Sequence, residues 1–174
     1  MGGHCAAGLS RVWSSLGSFH GASGYNAKIR LAAALKCGAR DRWVGWDFRH
    51  QYDRLNLIAN NSRFLILPRH HHQNLASKVL SLCQRRIQTD WVERFGFPLL
   101  LLETFVDATR FVGTIYQAAN WHYVGETRGY QRLRGGYSRT RQASKRVFVQ
   151  PLRRHARALL TPDCTNVTEQ EPRE

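Results

Sequence analysis

The chain has 174 residues, with 26 Lys and Arg against 12 Asp and Glu, a formal charge of +14, 43% hydrophobic residues and 11% aromatic residues. That length is one domain's worth, and the apolar content supports a buried core, which excludes a wholly disordered chain. The longest apolar runs, residues 64–67 and 98–102, fall far short of the roughly 20 residues of a membrane-spanning helix, so no membrane partner is expected.

Residues 1–28 are expected to be a loose lead-in. Gly8, Ser10, Arg11, Ser14 and Ser15 interrupt its apolar stretch, so no signal peptide is expected and the location is read as cytoplasmic. Cys5, Cys37, Cys83 and Cys164 form no C-x-x-C pair and have no His at zinc-ligand spacing. They read as four reduced, isolated thiols. Residues 28–39 fit strand or helix, and residues 42–46 read as a short strand. Asp47 suits the N-cap of a short helix reaching Leu57.

Residues 63–67 are a β-type run closed by Pro68. From Asn74, a natural N-cap, the pattern is helical: Leu75, Ala76, Val79, Leu80, Cys83 and Ile87 form one stripe. Residues 99–106 are almost continuously apolar, as in a strand buried on both faces. Asp107 suits the cap of a helix over residues 108–119. A strand follows at 122–124, then a polar, Gly-containing loop over 132–144, a last strand at 147–152 and a short helix at 153–160. Residues 161–174 read as a disordered tail. Alternating strands and helices predict an α/β domain over residues 29–160, with parallel pairing at its centre.

Three features point to chemistry. Glu103 interrupts the buried run at 99–106, and an unpaired buried carboxylate costs several kcal/mol. It therefore serves as a general base at a cleft or pairs with one of the many Arg side chains. His70, His71 and His72 are consecutive, so they point in different directions and suit a solvated turn better than a metal site; no metal is expected. Residues 127–162 contain no acid. Their cations, notably Arg128, Arg132, Arg134, Arg139, Arg141, Lys145 and Arg146 in a basic loop over 128–146, suit phosphate neutralisation, with DNA or RNA as the expected partner. Aromatic interleaving is thin there (Tyr130, Tyr137, Phe148), which argues against base stacking.

The segments around residues 68–77, Glu103-Thr104-Phe105 and Tyr116 through Gly125 resemble the second half of a GNAT N-acyltransferase fold. That likeness implies a GNAT-like mixed central sheet with flanking helices, incomplete at the N-terminus. It also implies amides of Gln73, Asn74, Leu75, Ala76 and Ser77 on the pyrophosphate of acetyl-CoA or another acyl-CoA, with Glu103 as base and Tyr116 as acid. A closer resemblance covers residues 31–160. Residues 39–46, 60–68, 74–77 and 103–107, with Tyr116-x-Ala118-Ala119-Asn120-Trp121, are similar to the DruA family, a domain of unknown function named for the Druantia anti-phage system. The DruA resemblance implies a bacterial protein of phage defence or a mobile element, working with a defence-system or transposase-type partner protein.

Three functions are therefore open. The first is a DruA-like accessory protein acting on or near nucleic acid. The second is a coenzyme A-dependent acyltransferase. The third is a non-catalytic binding module whose cleft is lined by Asn60, Asn61, Arg63, Glu103, Tyr116 and Asn120. The last two need Glu103 and Tyr116 to face one slot between neighbouring parallel strands.

Overall fold

A computed structural model describes residues 27–46, 53–67, 72–130, 132–133 and 136–161. In chain order these form β1 (Ala27–Ala33), α1 (Gly38–Val44), a 3-10 turn (Leu55–Leu57), β2 (Ile58–Ile66), α2 (Leu75–Phe95) and β3 (Leu101–Asp107). They continue with α3 (Thr114–Ala118), β4 (His122–Glu126), β5 (Arg132–Leu133), β6 (Gly136–Tyr137), β7 (Lys145–Pro151) and α4 (Ala156–Leu160). The expected tail beyond residue 161, most of the expected lead-in and the start of the helix expected after Asp47 lie outside the described residues.

The architecture is mixed α/β. One five-stranded sheet runs in the order β1-β2-β3-β7-β4. Parallel pairing is narrower than expected: only β2 and β3 are parallel, and the β1–β2, β3–β7 and β7–β4 ladders are antiparallel. Helices cover both faces. Leu102, Val106, Phe148, Leu80, Ile87, Trp91, Tyr116 and Trp121 pack on the side of α2 and α3. Leu101, Val149, Val44, Ala156 and Leu160 pack on the side of α1 and α4. The alternation along β3 follows from the two-residue side-chain period of a strand. Each fully buried Leu or Phe here contributes about 1.5–3 kcal/mol over its exposed state.

Two elements differ from the sequence expectation. Residues 42–46 belong to the end of α1 and its turn, not to a strand. Cys37, Arg40, Asp41 and Val44 are all buried and recur at i, i+3, i+4, i+7. That helical period emerges only when two charged residues count as interior. The expected helix over 108–119 shrinks to Thr114–Ala118. The Asp107 carboxylate accepts hydrogen bonds from Thr109 N (3.0 Å) and Thr109 Oγ1 (2.7 Å), so it closes a turn in place of a helical cap.

The helix α2 runs further than its apolar stripe suggested. Trp91 packs against Phe95 (4.6 Å between ring centroids) and Phe97 (6.5 Å), anchoring its last turns. Asn74 precedes α2 in the left-handed region (φ 60°) without a side-chain cap bond. Its carbonyl accepts from Ser77 Oγ (3.0 Å) instead.

Candidate functional site

β2 and β3 pair over only three positions, Ile58↔Leu101, Ala59↔Leu102 and Asn60↔Glu103. Beyond Asn60, β2 continues with β1 as its ladder partner, and β3 continues with β7. The β1–β2 ladder shifts register between Arg30 and Leu31, opposite this point, and such a bulge bends its strand. The two parallel strands therefore diverge into a fork. Its apex holds two polar clusters, one on each face of the sheet.

The first cluster is closed. Arg40 NH1 donates to Glu103 Oε2 (2.7 Å), and Arg40 NH2 donates to Asp41 Oδ1 (2.6 Å). Asn60 Nδ2 donates to Glu103 Oε1 at 3.4 Å. Arg40 also donates to the Leu35 carbonyl (3.0 Å) and lies over the Trp46 ring. Neither Arg40 nor Glu103 has any exposed surface. Burial pushes the Glu103 carboxyl above its ordinary value, more than Arg40 and Asn60 draw it down. Burial opposes the charge on Arg40, but Glu103 and Asp41 outweigh it and hold the guanidinium protonated. Of the two readings of Glu103, the structure selects the ion pair.

The second cluster lies on the opposite face. Tyr116 is 7% exposed. Asn61 Nδ2 and Thr104 Oγ1 each stand 3.4 Å from its hydroxyl, and Thr104 Oγ1 donates to the Asn61 carbonyl (3.0 Å). Its ring lies against Trp121 and Phe148. Burial raises the Tyr116 phenol above its ordinary value, with the Thr104 hydroxyl opposing that. Asn61 Oδ1 has no partner among the described residues. A half-turn of the amide lets it accept the Tyr116 hydroxyl.

The shared slot expected from the sequence is therefore corrected. Glu103 and Thr104 are adjacent on β3, so their side chains point to opposite faces, and Tyr116 stands with Thr104. Asn60 and Asn61 divide in the same way. Arg63 and Asn120 are exposed, Asn120 in a turn at φ 62°. The six polar residues expected to line one cleft do not line one. With Glu103 sealed and Tyr116 across the sheet, the residues present do not fit acyl transfer, and no step through an acyl-CoA is derived. At the start of α2, Leu75 enters the core, while Gln73 and Asn74 are exposed and Ser77 is half-buried. Asn74 and Ser77 border an open groove with Lys78, Arg85 and Ala118.

The described residues of the basic segment include paired strands. The carboxyl ends of β3 and β4 and the amino end of β7 meet at one end of the sheet, through Asp107↔Lys145 and Glu126↔Arg146. Past Glu126 the β4 and β7 chains stay together as a ribbon: Thr127 N donates to Lys145 O (2.9 Å) and Gln142 N donates to Gly129 O (2.7 Å). Further out, β5 and β6 pair as a small hairpin inside the expected loop. Arg128, Arg139, Arg141 and Lys145 are exposed and Arg146 is half-buried. Arg132 belongs to β5, and Arg134 lies outside the described residues, as do His70 and His71.

Among the described residues, no group of three or more His, Cys, Asp or Glu is placed to hold a metal ion, and no helix is long and apolar enough to cross a membrane. Sequence reasoning missed Arg40 and Thr104. The adjacent charges of Arg40-Asp41 were a usable signal, because a buried acid in a strand calls for a cation elsewhere. Thr104 gave none.

Residues 28–153 match the profile of the family described as Druantia protein DruA, and the chain belongs to that family. A comparison with curated protein sequences gives no match. Among solved structures, the chain is similar to an N-acetyltransferase from Staphylococcus aureus Mu50, at 11% identity and a TM-score of 0.43. The match covers 73% of this chain and 61% of that one, so this chain spans less than two thirds of the acetyltransferase.

Proposed function

We propose that this member of the DruA family is a phage-defence component that contacts nucleic acid through the basic ribbon running out from β4 and β7. The observation that carries this reading is the concentration of exposed cations, Arg128, Arg139, Arg141 and Lys145, on one ribbon. That ribbon belongs to an acid-free segment, residues 127–162. Phosphate contacts release counterions, which ties affinity to salt.

Support also comes from what the fork lacks. Its two polar clusters are buried and serve the sheet, whereas the ribbon cations at the carboxyl ends of β3 and β4 are exposed. Cations there meet an anionic partner without desolvating a buried group.

The test is affinity for a mixed-sequence duplex and a mixed-sequence single strand as salt is raised. On the duplex, log affinity is expected to fall against log salt with a slope of about −0.9 per phosphate contacted. The Arg128→Ala, Arg139→Ala, Arg141→Ala triple variant is expected to bind more weakly and with a shallower slope. Absence of binding to either probe at low salt rejects the reading. In cells, the same triple variant is expected to lose phage protection while accumulating normally.

A further inference from the structure

We infer that the turn after β3 presents Phe111 as a stacking platform for unpaired bases, so that the nucleic acid engaged at this end of the sheet is single-stranded. This rests on the nucleic-acid reading above and names the class of strand. Phe111 is 66% exposed and its neighbour Val112 is 60% exposed, the two most exposed large hydrophobic side chains of the described surface. Adjacent exposed apolar residues forfeit burial and commonly mark a contact surface.

The turn is built, not loose. Arg110 N and Phe111 N both donate to the Asp107 carbonyl, at 3.2 and 2.9 Å. Thr109 occupies the Asp107 carboxylate. Gly113, at φ 89°, runs so close to Phe148 that a Cβ would stand 2.6 Å from two of its ring carbons. The chain therefore passes over the buried Phe148 ring with no side chain at residue 113, and Phe111 and Val112 are left outside. A ring held by such a turn loses little freedom when a base stacks on it.

Its surroundings select the partner. Arg146 NH1 donates to the Val112 carbonyl (3.0 Å), which ties the turn to the root of the ribbon. Arg110, in the turn, and Lys145, which pairs with Asp107 across the ladder, are both exposed and both act on the Asp107 carboxylate. An apolar protein partner would have to cover charged side chains here, whereas a strand brings both a π-face and a phosphate at each nucleotide. On the ribbon itself, the Arg141 guanidinium lies over the Tyr130 ring (5.4 Å) and donates to its hydroxyl (3.2 Å), which sets another aromatic ring among the cations. The structure thus adds, from a separate segment, an exposed aromatic ring to the few that the basic segment carries in sequence.

The experiment is fluorescence anisotropy with the full chain and three labelled probes of equal length: an oligo-dT strand, an oligo-rU strand and a mixed-sequence duplex. Phe111→Ala is expected to weaken strand binding roughly 5- to 150-fold, the range for one lost base stack, with duplex affinity and salt slope unchanged. Phe111→Trp is expected to retain strand binding. Loss on dT alone or on rU alone assigns the strand as DNA or RNA. Unchanged strand affinity in Phe111→Ala, or an equal loss on the duplex, overturns this inference and leaves the ribbon reading in place. If the wild-type chain binds none of the three probes at low salt, both readings fall.

Discussion

Arg40 and Glu103, 63 positions apart in sequence, meet at 2.7 Å with neither side chain exposed. This pair ties α1 to the middle of the sheet, and it removes Glu103 from any cleft. A carboxylate with no solvent path and a guanidinium on one oxygen is a structural element; a general base must reach the proton it takes.

The pair sets a stability expectation. Arg40→Met leaves Glu103 and Asp41 without their cation and is expected to cost about 3–5 kcal/mol, read from urea unfolding. Arg40→Met with Glu103→Leu is expected to recover part of that, because the Glu103 charge is then removed and only Asp41 is left without its cation. Additive losses in the double variant would show that the two side chains do not interact.

The Glu103 carboxyl also predicts a pH dependence. Burial raises it above its ordinary value, so the folded protein keeps that proton to higher pH than the unfolded chain does. The sign follows: the contribution is fully present below the ordinary carboxylate range and is lost as pH rises through the raised folded-state value. Glu103→Gln cannot titrate. The stability of the wild type relative to Glu103→Gln is therefore expected to fall as pH rises through that window. A difference independent of pH would mean that the carboxyl is not raised.

Gly113 is expected to resist substitution. Gly113→Ala adds a methyl against Phe148 at φ 89°, combining left-handed strain with overpacking, together about 2–4 kcal/mol. Calorimetry gives the loss. In a double-mutant cycle, Phe148→Leu should cost less in the Gly113→Ala background than in the wild type, since it relieves the same contact.

Gly129 offers a test of the ribbon that spares the core. At φ 79°, a Cβ there meets the backbone carbonyl oxygen of Gln142, on the opposite strand of the ribbon. Gly129→Ala is expected to spread the ribbon and weaken nucleic-acid binding. The urea midpoint is expected to fall less than in Gly113→Ala, because the strain lands on the ribbon and neither residue belongs to a hydrophobic cluster. Full binding by Gly129→Ala would mean that the shape of the ribbon does not matter.

The sequence carried a good deal of the architecture. The double-faced burial of β3, the stripe of α2 and the alternating order of elements are local patterns of apolar residues, and those patterns decide which segments can hide which faces. The Asn74 position, the acid-free segment and the pairing of Glu103 with an Arg were also legible, the last because a buried carboxylate has few alternatives. The strand expected at 42–46 is the end of α1, whose helical period shows only once the buried Arg40 and Asp41 count as interior. The helix expected from 108 failed because the Asp107 side chain closes a turn at the point where a helical cap was read.

From its own order of residues, this chain determined that it would fold around a hydrophobic sheet, that one buried carboxylate would need either a cation or a cleft, and that its later third would be positively charged. Only the tertiary structure decided which cation that was, that Glu103 and Tyr116 stand on opposite faces, and that Phe111 emerges beside the basic ribbon. The division has one cause. Side-chain period and charge are properties of neighbours along the chain, whereas the face a residue occupies and the company it keeps depend on strand register and on where distant segments cross.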